Sequence, residues 1–274
     1  MSKRSSGNPA RAGILGWPVA HSRSPAIHEA AYAAAGLEGW RYQLLPVPPA
    51  LFDETLRALP GAGFVGANVT IPHKEAALAA ADAATDAARA ICAANSLSFD
   101  GGRIEADNTD APGFLAALGE PPAGRAVVLG AGGSGRAIAW ALASAGAEVE
   151  VWNRTPERAE RLAAELGVRA VAAVELGGLL VNCTAVGLSA GDDPFAVLPL
   201  ERGRMGEWEV VADLVYGESE TALVRAAREA GARVVDGLEV LVRQGALSFE
   251  RWTGVPAPLE AMRAAAGRPG RQVK

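Results

Sequence analysis

The chain carries 26 basic residues, and only three are lysine: Lys3, Lys74 and Lys274. Two of these lie at the ends, so Lys74 is the interior ammonium. An ammonium exchanges its proton and responds to burial, whereas a guanidinium stays charged. Lys74 is therefore the interior cation suited to general acid–base work. A genome that favours arginine codons explains the rarity equally well, so context must decide. Lys74 closes Asn68-Val69-Thr70-Ile71-Pro72-His73-Lys74, a polar stretch at the end of an apolar run.

Three further polar clusters stand at comparable places. Gly16-Trp17-Pro18-Val19-Ala20-His21-Ser22-Arg23-Ser24-Pro25 follows the first apolar run, and Ser22 and Ser24 in an extended turn suit a small polyol or carboxylate. Ser24 serves equally well as an N-cap before Pro25. Asn95-Ser96 opens a strand pattern, and Asp107-Asn108-Thr109-Asp110 leads into a helix, where capping is the ordinary role of aspartate. Polar groups gathered beyond strand ends are where α/β proteins bind ligands.

A separate segment reads as a dinucleotide site. Arg125–Leu129 is a buried strand, Gly130-Ala131-Gly132-Gly133-Ser134-Gly135 follows, and an alanine-rich helix comes next. Gly130 permits the turn, Gly132 lets a pyrophosphate approach the backbone, and Gly135 allows helix to pack on strand. An ordinary glycine-rich turn is the competing reading. The next strand ends at Trp152-Asn153-Arg154-Thr155-Pro156-Glu157-Arg158, with no acid at its tip to hold a ribose 2′-hydroxyl. Arg154 offers a planar fork for a 2′-phosphate, with Asn153, Thr155 and Arg158 nearby. This favours NADP over NAD, against a reading of Arg154 and Arg158 as solvated surface.

The elements that must position these groups follow the α/β pattern of short apolar runs alternating with alanine-rich helices. Strands are expected near Ala12–Leu15, Tyr42–Val47 and Gly63–Val69, with helices from Pro25 to Ala35, Leu51 to Leu59 and His73 to Ala81. A hairpin of Asn95–Phe99 and Arg103–Ala106 turns at Asp100-Gly101-Gly102. Gly119-Glu120-Pro121-Pro122 is a candidate hinge. Beyond it come helix Arg136–Ala145, strand Glu148–Trp152, helix Pro156–Leu166 and strands near Leu179–Asn182, Val210–Leu214 and Arg233–Val235. Helices from Leu238 to Trp252 and Pro258 to Ala266 close the chain and can pack back on the first part. The 274 residues favour two domains.

The net charge of −5 argues against nucleic acid or an anionic membrane as partner. No apolar run reaches a membrane span, and the polar N-terminal segment lacks a signal core. Cys92 and Cys183 form no metal or redox spacing and are expected as buried free thiols in a reducing cytoplasm. The histidines show no zinc spacing, so no metal site is expected.

These residues resemble the shikimate dehydrogenase family over about residues 12–266. The matching pieces are Gly16-x-Pro18…His21-Ser22-x-Ser24-Pro25, Asn68-Val69-Thr70-x-Pro72-x-Lys74, Ala94-Asn95, Asp107-Asn108-Thr109-Asp110, Gly130-Ala131-Gly132-Gly133, Asn153-Arg154-Thr155, Asn182-x-Thr184, Asp213-Leu214-x-Tyr216, Gly237-Leu238 and Gln244-Gly245…Phe249-x-x-Trp252. The resemblance implies an N-terminal α/β substrate domain, residues 1–113 and 238–274, and a Rossmann-type doubly wound NADP domain, residues 114–237. It implies NADPH-dependent reduction of 3-dehydroshikimate to shikimate in aromatic amino acid biosynthesis. It implies that Lys74 is the acid/base, that Asp110 is its partner, and that Ser22, Ser24, Thr70, Asn95, Tyr216 and Gln244 join Asp110 in contacting substrate. By the same resemblance Asp86 lies near the nicotinamide end, with Leu214 and Gly237 lining that pocket. The glycine loop from Gly130 to Ser134, with Asn153, Arg154, Thr155 and Arg158, would hold the rest of the cofactor. Ser96 departs from a frequent Thr, Cys183 from Ala, Val240 from Met and Gly217-Glu218 from Asn-Pro.

Hydride addition to a ketone makes an alkoxide, and one ammonium in reach supplies charge and proton together. In reverse, neutral Lys74 must accept the hydroxyl proton, so alcohol oxidation should quicken as pH rises. Alternatives are an NAD-preferring quinate/shikimate dehydrogenase, a catalytically silent NADP-binding regulator, and a dehydrogenase of amino acids or folate. The last would not need the hydroxyl-rich set of Ser22, Ser24, Thr70 and Asn95. A homodimer is left open, as is closure of a cleft between the two domains over substrate.

Overall fold

The protein is described here by a computed structural model covering residues 10–120, 124–189, 191–217 and 219–267. The N-terminal lead-in, the Pro121-Pro122 part of the candidate hinge and Glu218 lie outside the described residues. Residues 1–113 and 241–274 form one compact unit and residues 114–240 another.

In the first unit the chain runs β1 (Arg11–Gly16), α1 (Ser24–Ala34), β2 (Arg41–Pro46), α2 (Phe52–Ala58), β3 (Phe64–Val69), α3 (Lys74–Ala80), β4 (Ala83–Ala84), α4 (Asp86–Ile91), β5 (Ser96–Asp100), β6 (Arg103–Asp107) and the start of α5 (Asp110–Leu118). The second unit holds β7 (Arg125–Leu129), α6 (Gly133–Ser144), β8 (Glu148–Trp152), α7 (Pro156–Leu166), β9 (Arg169–Ala170), β10 (Leu179–Asn182), α8 (Pro194–Val197), β11 (Val210–Asp213), α9 (Ala222–Glu229) and β12 (Arg233–Asp236). Helix α10 (Gly237–Thr253) starts there and returns the chain to the first unit, which ends on α11 (Leu259–Ala266).

The first sheet has the order β2-β1-β3-β5-β6-β4. β1 is parallel to β2 and β3, but β5 is antiparallel to both β3 and β6, so the sheet is mixed. The antiparallel β5–β6 pair comes from the two-residue turn Gly101-Gly102, whose φ angles of 56° and 84° suit glycine and fold β6 straight back on β5. Successive strand residues face opposite sides of a sheet. Ile14 accordingly joins a core with Ile27 and Tyr32 of α1, Phe249 of α10 and Met262 of α11, whereas Leu15 joins one with Phe52 and Leu56 of α2 and Ala77 of α3. Helix α10 lies close on the sheet because Gly66 leaves room for Trp252: a Cβ there would stand 2.1 Å from the indole nitrogen, which donates to Leu97 O at 2.9 Å.

The second sheet is parallel throughout, in the order β12-β11-β10-β7-β8-β9. This is the doubly wound arrangement, with its switch point between β7 and β10. Its strands are buried on both faces, as apolar runs such as Ala126–Leu129 and Leu179–Val181 require.

Among the strands and α-helices, β4, β9, α4, α8 and α9 were not expected from the sequence. All three of these helices carry caps that were there to read: Thr85 accepts from Ala88 N at 3.2 Å, Asp193 from Phe195 N at 3.1 Å and Thr221 from Val224 N at 3.2 Å. The thiols also depart from expectation. Cys92 is exposed and Cys183 half-buried, not buried. Cys92 ends α4 in the left-handed region, φ 58°, which turns it out of the core.

Candidate active site

In the first unit the carboxyl ends of β1, β3 and β6 and the start of β5 share one edge of the sheet, because Leu15 pairs with Val69, Asn68 with Ser96, and Ser96 with Asp107. All four polar clusters stand on that edge. Lys74 and Asp110 are each the first residue of a helix and each 8% exposed. Lys74 Nζ donates to Asp110 Oδ2 at 2.5 Å. Asn95 Nδ2 donates to Asp110 Oδ1 at 2.8 Å, so the carboxylate is held at both oxygens.

The orientation of Asn95 is fixed by its neighbour. Its Oδ1 accepts from Thr109 N at 2.6 Å, which turns the amide nitrogen toward Asp110 and toward Gln244 Oε1, 3.1 Å away. That nitrogen also lies 3.0 Å from Thr109 Oγ1. Two hydrogens thus face three acceptors, so Asn95 Nδ2 serves two of them at any moment. Gln244 reaches this point because Gly113 of α5 lies against α10: a Cβ there would stand 2.7 Å from Gln244 N.

Thr70 follows β3, half-buried, with its methyl over Gly16, where a Cβ would stand 2.4 Å from it. Gly16 is therefore required by Thr70. Ser22 is half-buried, and its Oγ accepts from Ser24 N at 3.3 Å. Ser24 is the first residue of α1 and 3% exposed; Arg23 holds the N-cap position, so the capping reading of Ser24 does not apply. Asp107 does not cap α5 either. Its carboxylate accepts from Thr85 Oγ1 at 2.7 Å, Asn108 N at 2.8 Å and Arg251 Nη1 at 2.9 Å, which braces the end of β6. Asn108 takes the cap-like role, accepting from Ala111 N at 3.2 Å. Asp86 is exposed in the first turn of α4.

In the second unit the glycines divide by what surrounds them. Gly130 has φ 105° and closes the turn. A Cβ on Gly135 would stand 1.9 Å from Gly130 O, so this residue is set by helix–strand packing. A Cβ on Gly132 would meet nothing within 4 Å. The space above the backbone at Gly132, at the N-terminus of α6 with Gly133 and Ser134 in its first turn, is thus free for a phosphate. Asn153 Oδ1 accepts from Ala131 N at 3.1 Å and its Nδ2 donates to Thr155 O at 2.9 Å, tying the glycine loop to the tip of β8. Arg154, Thr155 and Arg158 are exposed, and neither guanidinium has an ion-pair partner among the described residues. The tip of β8 fits a dinucleotide with a 2′-phosphate.

The ends of β10 and β11 form a buried polar knot that sequence reasoning left without a role. Asp213, 1% exposed, accepts from Asn182 Nδ2 at 2.9 Å, Val215 N at 3.1 Å and Thr221 Oγ1 at 2.7 Å. Burial pushes its carboxyl up to about 6, against these hydrogen bonds. The knot fixes the start of the segment bearing half-buried Leu214 and Tyr216. Gly237 packs on the same segment, where a Cβ would stand 2.7 Å from Asp213 O and 2.8 Å from Leu214 O. Asn68, Thr109 and Ser248 in the first unit were also given no role; spacing four residues beyond Gln244 was the available signal for Ser248.

Known proteins share this plan. Residues 14–97 match the family profile described as shikimate dehydrogenase substrate binding domain, residues 117–191 that of shikimate / quinate 5-dehydrogenase, and residues 237–266 that of the shikimate 5′-dehydrogenase C-terminal domain. The chain is 47% identical over 269 residues to a shikimate dehydrogenase (NADP(+)) of Thermus thermophilus, spanning 94% of this chain and 98% of the relative. The crystal structure of shikimate 5-dehydrogenase from another strain of Thermus thermophilus, in complex with NADP(H) and shikimate, superposes with a TM-score of 0.84 at 45% identity, covering 94% of this chain and 98% of that one. The ligand-free 5-ketofructose reductase of a Gluconobacter species matches with a TM-score of 0.81 at 32% identity, over 94% of this chain and 98% of that one.

Proposed function

The chain belongs to the shikimate dehydrogenase family, and from that premise we propose how its residues carry the family's reaction. The enzyme reduces 3-dehydroshikimate to shikimate with NADPH, reversibly, in the route to aromatic amino acids. Bound NADPH supplies the hydride.

Lys74 donates the proton to the ketone oxygen as charge develops there, and takes it back in the reverse direction. Asp110 holds the ammonium in place and accepts from a substrate hydroxyl. The observation that carries this reading is the 2.5 Å pair of Lys74 Nζ and Asp110 Oδ2 within one buried network with Asn95. A general acid must stand within hydrogen-bond reach of its target before its acidity matters. Asn95, Gln244, Thr70, Ser22 and Ser24 orient the remaining hydroxyls and the carboxylate.

For the cofactor, the open backbone at Gly132, with Gly130, Ala131, Gly133 and Ser134, receives the pyrophosphate. Arg154 and Arg158, with Asn153 and Thr155, take the 2′-phosphate. Leu214 and Gly237 line the nicotinamide pocket. Two free cysteines support a cytoplasmic location, and the net charge of −5 supports a small-molecule partner rather than nucleic acid.

A steady-state assay with shikimate and quinate, each with NADP⁺ and NAD⁺, tests the assignment. Shikimate with NADP⁺ should give the highest kcat/KM. Quinate with NAD⁺ at an equal or higher value would overturn it.

A further inference from the structure

One hydroxyl that no part of the reaction claims joins four elements of the first unit. Ser248 lies on α10, is fully buried, and stands one helical turn after Gln244. Its Oγ accepts from Asn68 Nδ2, at the end of β3, at 2.8 Å. It lies 3.0 Å from Ser96 Oγ at the start of β5 and 3.4 Å from Thr109 Oγ1 ahead of α5. It also reaches Gln244 O at 3.3 Å.

The partners of Ser248 are already committed. Asn68 Oδ1 accepts from Tyr42 Oη at 2.8 Å, and its Nδ2 also donates to Asn95 O at 3.2 Å. Asn68 therefore cannot turn without abandoning a buried bond. Thr109 holds the amide of Asn95. Residues four apart share a helix face, so whatever anchors Ser248 also sets the depth of Gln244. Gln244 Nε2 donates back to Leu241 O at 2.7 Å, which fixes its χ angles but not the position of the helix.

We propose that Ser248 is a positioning residue: its hydroxyl locks α10 to the ends of β3 and β5 and so places the Gln244 amide against Asn95 for substrate binding. It does not touch the Lys74–Asp110 pair, so its effect falls on KM for shikimate rather than on proton transfer. The inference rests on the assignment of Gln244 to the substrate.

The test is a mutant cycle of Ser248→Ala, Gln244→Ala and the double variant. In Ser248→Ala the shikimate KM should rise about tenfold, the size of one lost buried hydrogen bond. KM for NADP⁺ and the pH profile of kcat should be unchanged. In the Gln244→Ala background the same change should add less than about twofold, because coupled residues are not additive. Ser248→Cys, close in size but a weaker hydrogen-bonding group, should raise KM by an intermediate factor, and serves as the reading should the alanine variant not fold. An equal factor in both backgrounds, an unchanged shikimate KM, or a parallel rise in the NADP⁺ KM would overturn the inference. If Gln244→Ala alone leaves KM unchanged, the Gln244 assignment fails and this inference with it. If Gln244→Ala raises KM but Ser248→Ala acts independently, only the role of Ser248 fails.

Discussion

Lys74 and Asp110 meet at 2.5 Å from the first positions of two different helices, and Asn95 holds the other carboxylate oxygen at 2.8 Å. A cation gains nothing from the positive end of a helix, whereas an aspartate does. Lys74 thus sits where folding alone does not favour it, offset by Asp110. Taking two charges out of water is costly, and such a pair is weak evidence for stability. Chemistry is the better reason for its presence.

The glycine loop separates folding from binding within three residues. Gly132→Ala adds a methyl into open space and should leave the thermal midpoint unchanged while raising KM for NADPH. Gly135→Ala drives a methyl to 1.9 Å from Gly130 O and should lower the midpoint or prevent folding. Thermal unfolding and cofactor kinetics on both variants check this. Equal effects on the two quantities in both would contradict it.

Arg154 should discriminate cofactors. Arg154→Ala is exposed and should cost no measurable stability. It should raise KM for NADPH about 10- to 100-fold, since a charge-assisted bond is worth ~1.5–3 kcal/mol, and leave NADH nearly unaffected. Measuring both cofactors with wild type and variant decides it; a matched loss with NADH would remove the 2′-phosphate role.

His28 should make stability depend on pH. It is fully buried, stacked on Tyr42 at 4.3 Å between ring centroids, and burial lowers its pKa from 6.5 to about 3. Between those values the unfolded chain binds a proton that the folded one refuses, so stability is complete above about pH 6.5 and falls as pH drops toward 3. Asp213 works in the opposite sense: its folded pKa is raised from 3.8 to about 6, so its contribution to stability is complete below about pH 3.8 and is lost as pH rises through about 6. Comparing wild type with His28→Phe at each pH cancels the Asp213 contribution. Relative to the variant, wild type should lose ~2 kcal/mol between pH 6.5 and 5, at about 1.4 kcal/mol per pH unit. A constant difference would show that His28 does not resist protonation.

Much of this was legible because local signals and packing agree. β7, β8, β10 and α7 match the expected spans to the residue, for each is a valine- or leucine-bearing strand or an amphipathic helix bounded by glycine, proline or polar groups. The Lys74, Asn95 and Asp110 clusters were visible as polar groups at strand ends. What was not visible depends on long-range partners. Two-residue β4 and β9 exist because β6 and β8 offer them an edge. Ser248 reads as a small residue on a helix until β3 and β5 are brought against it. Asp213 gains its part only where β10 and β11 end side by side. Cys92 was misplaced because its apolar neighbours say nothing of the left-handed turn that ends α4.

Lys74→Arg separates charge from proton transfer at the site, because the positive charge stays and proton exchange is lost. The measurement is kcat for shikimate oxidation by wild type and variant across pH, with chemistry shown to limit the rate. Wild-type kcat should rise with pH, and the variant should fall by about 100- to 10,000-fold with a flat profile. An arginine variant that keeps near-wild-type kcat and the same pH dependence would show that Lys74 does not move the proton.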